Sequence, residues 1–304
     1  MDTHPEVDLD AARRFVATHG RLLDRHRLAC TLGAGDEGGV DARAALHASL
    51  AAYRNPDGGF GWGLEPDLRD RTSQPAPALH AFEAWADAGA VPADGQAGAL
   101  CDWLAAIGAD GAVPFALPIE DRAGVAPFWA EADPTEPSLQ ITAIVVAQAW
   151  RVAAFAPEVA DHPWLAAATD WCVAAARRLD EAPFALVLGF AVRAVSAAVA
   201  AGRPGAEEAL AHLFAWVPAD GVVPVVGGAE GEALRPLDLA PLPSDAARAH
   251  LDPAVVAGDL ARLASAQADD GGWPLEWDTY SPAAALEWRG HLTANAVALL
   301  AANP

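Results

Sequence analysis

Apolar residues recur with a helical period along most of the chain, and two kinds of helix alternate. The stretches ARAALHASLAAY (42–53), AGALCDWLAAI (97–107), AEEALAHLFAWV (206–217) and VAGDLARLASAQ (256–267) divide into an apolar and a polar face. That is the pattern of a helix with one side in a core. The stretches 74–88, 138–156, 184–201 and 291–302 are apolar nearly all round, which predicts burial on every side. Each amphipathic stretch runs into an Asp-Gly pair, at Asp57, Asp110, Asp220 and Asp270, spaced by 53, 110 and 50 residues. The long interval is about twice the others, and RRLDEAPFAL (177–186) stands where a unit lacking its glycine would fall. A fixed period of this size marks an array of repeated helix pairs. The glycine is expected to supply the left-handed conformation that ends a helix. One unit is weaker, with only SDAARAHL (244–251) in its second slot, and GVVPVV (221–226) is the single strand candidate.

Amphipathic helices outside and apolar helices inside, in alternation, predict an all-α protein built as a double ring. With the helical stretch 8–30 the count is about eleven, close to the roughly twelve of an α/α toroid. A curved open solenoid is the alternative. The toroid is expected to be one domain over residues 1–304, with residues 1–39 closing the ring.

Composition narrows the chemistry. Forty-one acids against 19 bases give a net charge of −22, which argues against nucleic acid as a partner, since that binding neutralises phosphates. Every base is an arginine, so Schiff-base chemistry on lysine, lysine-anchored pyridoxal phosphate and a P-loop lysine are excluded. Cys30, Cys101 and Cys172 are scattered within helical patterns and read as buried thiols. The nine histidines include no HExxH, so no metal and no cofactor is expected. The opening MDTHPEVDLDAARRF is unlike a secretory signal. ITAIVVAQAWRVAAFA (141–156) and FALVLGFAVRAVSAAVAA (184–201) each hold an internal arginine, so buried helices are expected rather than membrane spans. A soluble cytoplasmic protein is the expectation.

The Asp-Gly marks also carry a resemblance. Gln267, Gly271, Gly272 and Trp273 in QADDGGW resemble the Gln-Trp repeat of the squalene/hopene cyclases, and NPDGGFGWG (55–63) is similar to the glycine-rich repeat of protein prenyltransferase β-subunits. The resemblance covers roughly residues 40–302. It implies an α/α toroid in which the glutamine amide caps a helix end and, with the tryptophan, ties outer helices together. The segments GLEPDLRDRTSQP (63–75), EADPTEPSLQITA (131–143) and LEWRGHLTANA (286–296) resemble a group of actinobacterial proteins in this superfamily. Departures are equally plain. There is no DxDD acid motif; the nearest text is Glu131-Ala-Asp133-Pro-Thr-Glu136. His291 falls where the zinc-binding histidine of the prenyltransferases stands, but the Asp-x-Cys pair is missing, as is DDxxD for magnesium.

In such a toroid the polar segments that precede the inner helices gather at one mouth. That places Glu65, Asp67, Arg69, Asp70, Glu131, Asp133, Glu136, Glu287, Arg289 and His291 together. His80, Glu83 and Asp87 share one inner-helix face; Gln140, Gln148 and Arg151 lie near another; Arg193 and Ser196 lie on a third. Carboxylates crowded at an apolar cavity have raised pKa values and can act as general acids. Three functions follow. In the first, an isoprenoid-like substrate is protonated by Asp133, Glu131 or Glu136, with Arg289 and His291 orienting the acid. In the second, a carbohydrate-active enzyme uses two carboxylates across the cavity. In the third, the toroid is a non-catalytic module that binds a lipid or a partner. Arg69, Arg71, Arg122 and Arg235 are available to a diphosphate, and oligomeric state is undetermined.

Overall fold

The computed structural model describes residues 7–33 and 41–304. The rest of the expected ring-closing segment, 1–6 and 34–39, lies outside the described residues. Among the described residues the regular structure is almost entirely helical. Eleven helices have nine residues or more: α1 (Leu9–His19), α2 (Leu22–Thr31), α3 (Ala42–Ala51), α4 (Pro75–Ala88), α5 (Gln96–Ile107), α7 (Leu139–Ala153), α9 (Pro163–Arg177), α10 (Ala185–Ala200), α11 (Ala206–Phe214), α13 (Pro253–Ser265) and α14 (Pro282–Ala302). Three single turns intervene: α6 (Pro127–Ala130), α8 (Pro157–Ala160) and α12 (Pro236–Leu239). The GVVPVV stretch gives β1 (Val223–Pro224), paired antiparallel with β2 (Ala233–Leu234). The weak slot at 244–251 holds only a 3-10 helix, Ala246–His250. No described helix is long and apolar enough to cross a membrane.

The apolar helices α4, α7 and α10 pack side by side, α2 packs on α4, and α14 packs on α2. On the other flank α12 touches α10 and α13, and α13 touches α14, so the succession of contacts returns to its start. The amphipathic helices pack on these: α3 on α4, α9 and α11 on α10, α1 on α14. Apolar clusters follow that order, one around α4, α5, α7 and α9, one around α10, α11 and α13, and a third joining α1 to α14 through Trp273.

The Asp-Gly pairs differ from their expected role. Their glycines do adopt positive φ, +95° at Gly58, +88° at Gly111, +67° at Gly221 and +91° at Gly271. They sit several residues past the helix ends, however, in a turn of their own. Asp57, Asp220 and Asp270 each accept a hydrogen bond from the backbone N–H two residues on, a turn that aspartate favours. Three of the four turns lie against the next amphipathic helix. A Cβ on Gly58 would meet the Ala99 oxygen of α5 at 2.9 Å, one on Gly111 the Ala168 nitrogen of α9 at 2.4 Å, and one on Gly271 the Ala11 oxygen of α1 at 2.4 Å. Gln267 adds the tie foreseen for it: its amide exchanges 2.9 Å hydrogen bonds with both the N–H and the C=O of Asp8, the N-cap of α1. Trp273 is buried, and its Nε1 donates to the Leu263 carbonyl of α13 at 2.8 Å.

Candidate functional site

The segment between α3 and α4 doubles back tightly. The Asn55 amide donates to the Arg71 carbonyl and to Ser73 Oγ and accepts from Trp62 Nε1. A Cβ at Gly61 would lie 2.2 Å from the Thr72 oxygen, so only glycine allows this approach. Leu64 and Leu68 are driven into the core, and the acids between them, Glu65 and Asp67, follow them inside, each 5% exposed.

Helix α14 covers this loop. It starts at Pro282, nine residues before the expected 291, because Ser281 caps it by accepting from Ala284 N. Glu287, Trp288, Arg289 and His291 are therefore helical rather than part of a preceding loop. Trp288 Nε1 donates to Asp67 Oδ2 at 2.7 Å, and Tyr280 N to Oδ1 at 3.2 Å. Burial raises the Asp67 carboxyl above its ordinary value in spite of these two donors.

A connected polar cluster continues inward. Glu65 Oε2 is 3.0 Å from His80 Nε2, and His80 Nδ1 is 2.9 Å from Glu83 Oε2. Burial opposes a charge on His80, but carboxylates on both ring nitrogens outweigh it and raise the imidazole above its usual value. Gln148 Nε2 of α7 donates to Glu83 Oε1 at 3.2 Å, and Arg151 Nη1 donates to Gln148 Oε1 at 2.8 Å. Arg27 of α2 donates through Nε to Asp87, through Nη1 to His291 Nδ1 and through Nη2 to Asn295. Arg21 grips Asp24 and the Leu64 carbonyl, tying α2 to the loop. His291 has Nε2 3.9 Å from Glu83 Oε2; burial, then the Arg27 charge, hold its pKa well below the usual value. His80, Glu83 and His291 are all buried, and one donor atom from each lies within 4.8 Å of the others. They are the described residues able to hold a metal ion together.

The structure thus brings together Glu65, Asp67, His80, Gln148, Arg151 and His291 of the expected set. Arg69 and Glu287 pair at the rim, at 2.7 and 3.0 Å. Six others stand outside this network. Glu131, Asp133 and Glu136 are exposed. Asp133 accepts from Thr135 Oγ1 and N, which hold its carboxyl below the ordinary value, the opposite of what a general acid requires. Arg289 turns away from His291 to clamp Asp270 at 2.8 Å twice and to lie 4.4 Å over the Phe15 ring. Gln140 is half-buried at the start of α7. Arg193, half-buried on α10, makes no hydrogen bond or ion pair among the described residues, and burial lowers its pKa. Asp24, Arg27, Trp288 and Asn295 were not anticipated as site residues. The spacing Arg21, Asp24, Arg27 was the available signal: three charges at i, i+3 on a helix otherwise joined to the core.

Aromatic rings cluster beside Asp67. Trp288 meets His80, His291 and Trp277 edge-on at centroid distances of 5.7, 5.3 and 5.4 Å. Phe128 and Tyr280, both partly exposed, touch at 5.6 Å. Two cavities lie apart from the cluster. One of about 410 Å³ is lined by Leu22, His26, Ala45 and Tyr53 between α2 and α3, and one of about 180 Å³ by Arg203 and Glu208 at the start of α11. Compared with known proteins, the chain matches no protein-family model and no curated sequence.

Proposed function

We propose that the helices form an α/α toroid like that of the terpenoid cyclases and prenyltransferase β-subunits, and that the protein is an acid-initiated cyclase or isomerase of an isoprenoid-like substrate, with Asp67 as the proton donor. The returning succession of helix contacts and the Gln267 tie to α1 support the architecture. The observation that carries the function is Asp67 itself: a carboxyl shielded from water, raised in pKa, and held against an indole. An acid that donates to a double bond must be neutral beforehand and stabilised as the anion afterwards. Desolvation works toward the first condition by raising the carboxyl above its ordinary value. Trp288 Nε1 and Tyr280 N supply the second, since both hydrogen bonds strengthen once the carboxyl is ionised. The cation formed on the substrate then meets the faces of Trp288, Trp277, Tyr280 and Phe128. Glu131, Asp133 and Glu136 have no part in this chemistry.

A second reading rests on the cavities. Both lie outside the polar cluster, and a toroid that offers its openings away from its polar groups suits a non-catalytic module. The deciding experiment is incubation with farnesyl and geranylgeranyl diphosphates and with squalene, products being read by mass spectrometry. A cyclised or rearranged product from the wild type and from Asp133→Asn, lost at least 100-fold in Asp67→Asn, is expected. No turnover of any of them by the wild type removes the enzymatic reading and leaves the module.

A further inference from the structure

The three side chains that converge below Trp288 have a composition the acid chemistry does not use. His80 and Glu83 are one turn apart on α4, and His291 reaches them from α14. Their donor atoms are 2.9 Å apart between His80 Nδ1 and Glu83 Oε2 and 3.9 Å apart between Glu83 Oε2 and His291 Nε2. A first-row divalent ion bonded at about 2.1 Å to three such donors would space them roughly 3.0–3.4 Å apart. The first pair, at 2.9 Å, is just under that spacing, the second, at 3.9 Å, is wider, and all three donors lie within 4.8 Å of one another, so that small side-chain shifts bring them onto one ion.

The surrounding groups suit the same purpose. Glu65 Oε2 faces His80 Nε2 at 3.0 Å, so that nitrogen keeps its proton when Nδ1, hydrogen-bonded to Glu83 Oε2 in this structure, releases its own as a metal ion binds. A carboxylate behind a histidine is the usual support for a metal ligand. Gln148 occupies Glu83 Oε1 and leaves Oε2 for a ligand bond. Two carboxylates, Glu83 in the triad and Glu65 behind His80, stand to balance the two charges of a divalent ion.

His291 shows the strain of the arrangement. Its two ring nitrogens face two donors, Arg27 Nη1 and Asn295 Nδ2, both at 2.8 Å. A neutral imidazole can accept from only one of them. A cation on Nε2 would take the place of the Asn295 amide and leave the ring proton on Nδ1, which requires Arg27 Nη1 to turn away, with Asp24 Oδ1 4.0 Å from it.

We infer that His80, Glu83 and His291 bind one borderline divalent transition-metal ion of the Zn²⁺ or Co²⁺ class. Two imidazoles and one carboxylate favour such ions over Mg²⁺ or Ca²⁺, and no thiolate takes part. Three protein ligands leave coordination positions for water or a substrate oxygen. The site does not depend on Asp67 being a proton donor.

The test uses the full chain, stripped with a chelator and titrated with Co²⁺ and then Zn²⁺. One Co²⁺ per chain with a visible ligand-field spectrum, displaced by Zn²⁺, is expected. His80→Ala and His291→Ala should each lose it, Glu65→Gln should weaken it about 10- to 100-fold, and the exposed His19→Ala should leave it unchanged. Pulsed electron paramagnetic resonance of the Cu²⁺-loaded wild type, which needs no variant to fold, should count two imidazole ligands. No stoichiometric binding at ten times the protein concentration, fewer than two imidazoles, or binding that survives in the folded His80→Ala/His291→Ala double variant overturns the assignment.

Discussion

Two acidic segments look alike in the sequence and end in opposite environments. Residues 63–74 carry Glu65, Asp67 and Asp70 and lead into α4; residues 131–138 carry Glu131, Asp133 and Glu136 and lead into α7. The first three acids are buried and the second three exposed. The difference lies in their apolar neighbours. Leu64 and Leu68 bracket Glu65 and Asp67 and are fully buried, whereas the second segment offers only Ala132, Pro134 and Pro137 among its acids. Burial of two leucines stabilises by about 3–6 kcal/mol, enough to draw the intervening carboxylates under cover once partners stand ready. Asp67 finds its partner far along the chain, in Trp288, and Glu65 in His80 of the helix that follows. An acid becomes a candidate for chemistry through what covers it, and position before an inner helix does not decide this.

The comparison breaks most readily at Arg27. This buried guanidinium holds Asp87, His291 and Asn295 at once. Arg27→Ala leaves Asp87 with only the longer 3.3 Å contact to Arg151, and loss of one partner in a buried pair costs about 3–5 kcal/mol. Urea denaturation should show that loss. Arg122→Ala, in the exposed loop that precedes the second segment, should leave the urea midpoint where it was. Equal effects from the two would mean that the buried cluster contributes no more than a solvated rim.

Acid titration sharpens the contrast on a smaller scale. Burial by itself would raise the Asp24 carboxyl, but the Arg21 charge and hydrogen bond outweigh it, so the pKa lies below the ordinary 3.8. A carboxyl depressed in the folded state stabilises at every pH above its unfolded value, and the contribution disappears as pH falls through the folded value. Stability should therefore drop below about pH 3.8, by up to about 1.4 kcal/mol per pH unit for this one group. In Asp24→Asn the same fall should be shallower, although the variant starts lower at pH 7. Parallel curves for the two proteins from pH 5 to pH 2.5 would show that Asp24 is not the group responsible.

The sequence disclosed the fold better than the site, for a physical reason. Helices are written locally: their period marks α3, α4, α5, α7, α10, α11, α13 and α14, whereas 8–30 divides into α1 and α2, α9 had no stretch of its own, 244–251 forms only a 3-10 helix, and α14 begins early at Pro282. The glycines were legible as special but not as contacts. That Gly111 must admit Ala168, and Gly271 must admit Ala11, depends on which helix comes next in space. The site is non-local throughout. His80 and Glu83 are one helical turn apart and could be read as a pair, but His291 reaches Glu83 and Arg27 across more than two hundred residues of chain. Arg289, two residues earlier, shares the same motif yet faces a different neighbour, because it lies on the α1 side of α14.

The smallest expected effect is the most discriminating for function. Asp133 was the natural choice for a general acid, being the middle carboxyl of the text nearest to an acid motif. In the structure its oxygens face solvent and the Thr135 donors, which favour the ionised form. Such a group cannot hold a proton for delivery near neutral pH, since acid strength matched to the working pH requires a raised value. Asp133→Asn keeps the shape and removes only the charge. It should leave the urea midpoint unchanged, together with product formation from whichever isoprenoid is turned over, and Glu131→Gln should do the same. If Asp133→Asn abolished turnover while Asp67→Asn retained it, the exposed segment would have to close over the substrate during the reaction. The buried cluster would then be a scaffold for α2, α4, α7 and α14, and the contrast between the two segments would describe only the state without substrate.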